Sequence, residues 1–126
     1  MKLTDVTIAA RATASMDFGA AVRDILNAEQ VIQAALQTGD ERKLEEQSSR
    51  LLRLQSTLVQ ETEQGDARRA CSQAAGELSA VASLMRRATR GDEPVKSMLA
   101  AEKTEQSYRD HLAKCDKAIT AANPSR

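Results

Sequence analysis

Three Gly-Asp pairs constrain this chain more than any other feature: Thr38-Gly39-Asp40, Gln64-Gly65-Asp66 and Arg90-Gly91-Asp92. Each reads as a helix stop followed by a helix start. Glycine after the last turn adopts the left-handed conformation that closes a helix, and aspartate accepts hydrogen bonds from the free N–H groups of the next one while its charge favours that helix's positive end. Glu93-Pro94 reinforces the third corner, because proline suits the first helical position. The corners cut the chain into segments of similar length. They predict an all-α fold, an antiparallel up-down-up-down four-helix bundle with short Gly-Asp corners, its helices spanning 15–37, 40–64, 66–90 and 93–122.

The heptads agree with the corners. Core positions alternating by three and four read Phe18, Ala21, Ile25, Ala28, Ile32, Ala35 in the first segment and Leu44, Gln47, Leu51, Leu54, Leu58 in the second. The third gives Cys71, Ala74, Leu78, Val81, Met85, Ala88, and the fourth Met98, Ala101, Glu105, Tyr108, Leu112, Cys115, Ile119, Ala122. This spacing belongs to helices packed nearly parallel to one another. Aromatic residues are only 2% of the chain, Phe18 and Tyr108. A core so poor in aromatics and rich in alanine is easier to build from helices than from sheets. Upstream of Phe18 the register fails, so Ser15 is read as the cap of the first helix and residues 1–14 as an arm or short extra helix. With 126 residues, the chain has room for a single domain, 1–126.

Two short motifs lie at the third corner. Arg86-Arg87-Ala88-Thr89 has the spacing of a basophilic kinase site, and Arg90-Gly91-Asp92 spells an adhesion tripeptide. The same Gly-Asp recurs twice with Thr or Gln in place of Arg, so helix termination accounts for the triplet without adhesion. The threonine falls on the last turn of a helix, a poor substrate for an enzyme that reads extended chain.

Charge and hydropathy exclude several partners. Eighteen basic and eighteen acidic residues cancel, and the arginines at 68, 69, 86, 87 and 90 fall at opposite ends of one segment rather than in a stripe. Nucleic acid is therefore not an expected partner. No run is long and apolar enough for membrane insertion. Met1-Lys2-Leu3-Thr4-Asp5 puts an acid where a signal peptide has its apolar run, so any reading as an exported chain rests on the cysteines.

Cys71 and Cys115 occupy core positions of the third and fourth helices, both about 30 Å from the shared corner at 1.5 Å per residue. They should face one another. A disulfide there closes a loop of about 45 residues, stabilises by roughly 4 kcal/mol on the chain-entropy model and implies an oxidising compartment, periplasmic or secreted. The alternative is a pair of reduced thiols packed as small core residues. His111, the one histidine, is four residues before Cys115, which gives three prospective metal ligands with Cys71 but no fourth. No metal site is assigned, and no cofactor.

Glu105 is a charged residue at an interior position. Counting heights from the corners places it level with Arg50, and the two are read as a buried polar pair that fixes register, with a ligand-binding carboxylate beside Tyr108 as the functional alternative. Leu52 and Val59, seven apart and one position beyond Leu51 and Leu58, extend the apolar stripe outward; they are read as a partner surface.

Catalytic constellations are lacking in the sequence. There is no Glu-x-x-His pair of the di-iron bundles, no Cys-x-x-Cys-His and no glycine-rich phosphate loop among five glycines. Together these readings predict a non-enzymatic bundle acting by protein–protein interaction, probing another protein or a second copy of itself, exported and stapled by Cys71 with Cys115. Two alternatives stand beside it: a cytoplasmic adaptor or secretion chaperone with reduced thiols, and a metal or small-ligand binding bundle using Cys71, His111, Cys115 or Glu105.

Overall fold

A computed structural model describes residues 18–60 and 65–122. Among them are four helices and no strand: α1 (Phe18–Thr38), α2 (Glu41–Val59), α3 (Gly65–Thr89) and α4 (Pro94–Ala122). The expected arm at 1–14, and Ser15 as a cap, lie outside the described residues. Neighbouring helices run antiparallel. The start of α2 meets the end of α3 through Arg86, which reaches Glu41 at 3.8 Å and Glu45 at 3.3 Å, and Arg90, 3.3 Å from Glu41. The start of α3 meets the end of α4 through Cys71 and Cys115, whose Cα atoms are 4.7 Å apart.

Two of the three corners close as their residues dictate. Gly39 and Gly91 take left-handed φ of 68° and 86°. At each, the glycine N–H donates to a carbonyl three residues back and the aspartate N–H to one five back: Gly39 to Leu36 and Asp40 to Ala35, Gly91 to Ala88 and Asp92 to Arg87. This is one closing motif built twice. Asp40 then caps α2, its Oδ1 accepting from the Lys43 N–H at 3.1 Å. At the third corner Pro94 opens α4 behind Glu93, and the Ser97 hydroxyl donates to the Asp92 carbonyl at 3.0 Å.

The middle corner corrects the expected boundaries. Helix α2 ends at Val59 rather than 64, and Gly65 is the first residue of α3 rather than a left-handed stop after α2. The physical reason is the end of the apolar stripe. After Leu58 the next heptad positions are Glu61 and Gly65, neither of which offers an apolar side chain to bury.

The core follows the heptads, with one helix exceeding them. All six expected positions of α1 are buried, as are Leu44, Leu51 and Leu58 of α2. Helix α3 buries Cys71, Ala74, Leu78 and Val81 and also Ala67, Ala70, Ser72, Ala75, Ser79 and Ala82. Its small side chains let it touch all three other helices, so it packs against α1 across the bundle while α2 and α4 do not touch among the described residues. The section is a rhombus with α1 and α3 on the short diagonal. In α4, Ala101, Tyr108 and Cys115 are buried as expected, but Ser97 is buried in place of its neighbour Met98.

Close approach of α2 to α3 is visible at two levels. Ser48 and Ser79 hydroxyls are 2.9 Å apart, each also donating to the other's backbone carbonyl. Three residues earlier on α3, a Cβ built on Gly76 would press on the Gln55 side-chain amide. That amide is the free end of a flexible chain and can swing aside, whereas glycine inside a helix costs about 0.5–1 kcal/mol relative to alanine. Gly76→Ala is therefore expected to raise the thermal midpoint by about 2–4 °C. A fall in midpoint on calorimetry would show that Gln55 is held in place.

Candidate functional site

Two clusters of titratable side chains enter the bundle, one on each flank of α4. On the α1 side, Tyr108 is fully buried and donates its hydroxyl proton to Glu29 Oε1 at 2.7 Å. Arg109 Nη2 reaches Glu105 at 2.7 Å and the other Glu29 oxygen at 3.3 Å. Burial foremost, then the hydrogen bond to Glu29 and its charge, hold the Tyr108 hydroxyl far above the usual phenol range. The hydrogen bond to Glu105 leads the causes that raise the Arg109 guanidinium above its ordinary value.

This cluster corrects the expected Glu105–Arg50 pair. Glu105 is half-buried and bonded to Arg109 one turn along its own helix, while Arg50 is exposed beside Asp24 and Arg53 on a groove between α1 and α2. Equal height was not enough. The rhombic section puts α2 and α4 on the long diagonal, out of reach of one another.

On the α3 side, Glu77 ties two residues of α4. The Ser107 hydroxyl donates to Glu77 Oε2, and His111 Nδ1 lies 2.7 Å from Glu77 Oε1. An ionised carboxylate only accepts, so the histidine donates from Nδ1. Chemically the arrangement is a carboxylate holding a hydroxyl and an imidazole apart. The Ser107 hydroxyl hydrogen-bonds to Glu77 rather than to His111, so serine and histidine are not joined as a nucleophile–base couple. The disulfide-forming sulfurs of Cys71 and Cys115 lie within bonding distance of each other in the core, both cysteines fully buried. The thiol–imidazole set weighed for a metal is thereby divided: the sulfurs face one another and His111 faces Glu77. Among the described residues no group of three or more His, Cys, Asp or Glu side chains is placed to hold a metal ion.

Glu29 and Glu77 are the residues that sequence reasoning passed over. Each flanks a core position, Ala28 and Leu78, where a carboxylate ordinarily faces water. A signal was present: counted from the Gly91 corner, Glu77 stands at the height of Ser107 and His111.

Leu52 and Val59 sit where the sequence puts them, on the outer face of α2, 52% and 53% exposed. No helix of the described residues is long and apolar enough to cross a membrane. Comparison with protein-family models, with curated proteins and with solved structures gives no match.

Proposed function

We propose that this chain is a non-enzymatic helical bundle that works by protein–protein interaction and acts in an oxidising compartment, periplasmic or secreted, with Cys71 and Cys115 as its staple. The observation that carries the compartment is the meeting of the chain's two cysteines in the core, at one height and on facing helices. Disulfides persist outside reducing cytoplasm. The interaction reading is supported by Leu52 and Val59, large apolar side chains left half in water on a rigid helix. The polar clusters support it over catalysis, because each titratable member is hydrogen-bonded or ion-paired to another side chain.

A free-thiol count tests the reading: intact mass after alkylation, under denaturing but non-reducing conditions, on protein from its native compartment. The expected result is no alkylated thiol. Two alkylated thiols would move the function to a cytoplasmic adaptor or secretion chaperone, whose second copy or client would then be sought at Leu52 and Val59.

A further inference from the structure

We infer that the groove between the start of α3 and the end of α4 docks an acidic amphipathic helix of a partner protein. The inference deepens the protein-interaction reading and rests on it. The groove has a volume of about 480 Å³ and is lined by Ala70, Ala118 and Ala121, with Asp66, Gln73 and His111 among its polar residues. Arg69 rises from the α3 rim and Lys114 and Lys117 from the α4 rim.

Charge distinguishes this end of the bundle from the other. At the far end of α3, Arg86, Arg87 and Arg90 are matched by Glu41, Glu45 and Glu93. At the groove, Lys114 and Lys117 have no carboxylate within 4.0 Å among the described residues, although Asp110 stands one turn before Lys114. Arg69 meets only Asp66, at 3.7 Å, with both side chains largely in water. The groove thus carries three cations, Arg69, Lys114 and Lys117, against one carboxylate, Asp66, beside three alanines.

Shape narrows the occupant. The α4 side of the groove runs from His111 to Ala121, about 15 Å at helical rise, the length of about three helical turns. Alanines along facing helices leave hollows that accept leucine-sized side chains from a third helix lying in the groove. Glutamates flanking that apolar stripe would then stand over Arg69 on one side and Lys114 and Lys117 on the other. A bilayer is the poorer fit, because these alanines offer nothing to insert among acyl chains. Nucleic acid would need a broader basic stripe and stacking residues.

The test uses the whole disulfide-bonded protein and two fluorescein-labelled helical peptides of equal length. One carries a leucine stripe flanked by glutamates, the other the same stripe flanked by lysines. The acidic peptide is expected to bind about tenfold tighter than its basic twin at low salt, with the preference falling as salt screens it. Methyl resonances of Ala70, Ala118 and Ala121 should shift on binding. The surface variant Lys114→Glu/Lys117→Glu, its thermal midpoint unchanged, should lose about tenfold for the acidic peptide. Equal binding of the two peptides, or none, overturns the inference. Shifts confined to α2 around Leu52 and Val59 overturn the groove while leaving the interaction reading standing. Tighter, Lys-dependent binding to phosphatidylglycerol vesicles than to the acidic peptide overturns it in favour of a lipid surface.

Discussion

Replacing both cysteines, Cys71→Ala/Cys115→Ala, is expected to lower the free energy of unfolding by about 4 kcal/mol and the thermal midpoint by about 15 °C. The bridge closes a loop spanning a sequence separation of 44 residues, which contains the α3–α4 corner and most of both helices. Cutting it frees that loop in the unfolded chain. In the folded chain the loss is smaller, because α3 and α4 remain packed through Ala74, Leu78 and Tyr108. Against a total of roughly 5–15 kcal/mol for a domain, the staple is a large share of the stability. Urea unfolding followed by circular dichroism measures it. The slope against urea should also rise, since an uncrosslinked chain expands further when denatured. A loss below about 1 kcal/mol would mean that the unfolded chain is already compact enough to make the bridge redundant. Both sulfurs belong to residues with no exposed surface, so reduction in the native state should wait for α3 and α4 to part.

In α1 every core position follows the three-four alternation, because one face packs on the bundle and nothing competes for the rest. The Gly39 and Gly91 corners were legible for a chemical reason: a left-handed residue is needed there, and glycine supplies it at no steric cost. The middle corner was not legible from Gly-Asp alone. The same pair stops one helix at Gly39 and starts another at Gly65, and only the loss of apolar heptad positions after Leu58 tells the two uses apart.

The cysteine pair was legible because height along a helix is simple arithmetic and both residues lie on core faces. Height failed for Glu105 and Arg50 because it says nothing about which helices are neighbours across the bundle. That is decided by side-chain volume. Alanine, serine and glycine on three sides of α3 bring α1 inward and separate α2 from α4, an outcome of packing that no single residue announces. Once α1 rather than α2 lies beside α4, Glu29 replaces Arg50 as the partner of the Tyr108 region.

Tyr108 carries the second large effect, and its position makes it measurable in isolation. It is the one tyrosine of a chain without tryptophan, so absorbance of tyrosinate near 295 nm reads it alone. Removing the ring with Tyr108→Ala leaves a hole in the centre of an otherwise aliphatic core and is expected to cost about 3–5 kcal/mol, as for other buried aromatic rings. Tyr108→Phe keeps the ring and loses only the bond to Glu29, at a cost of about 1 kcal/mol. Because the folded hydroxyl is held above the unfolded value of about 10, folding favours the protonated form. That contribution is fully present below pH ~10 and is lost as the pH climbs from there toward the folded value. The native protein should therefore show no tyrosinate at pH 10.5 where the urea-unfolded chain is mostly ionised, and part of its alkaline loss of stability should vanish in Tyr108→Phe. Glu29→Gln sorts the causes. Burial leads them, so the variant should still hold the hydroxyl above pH 10, though less far. If native Tyr108 titrates near pH 10 while the helices remain intact by circular dichroism, its hydroxyl is open to water and the α1–α4 cluster is not closed as described.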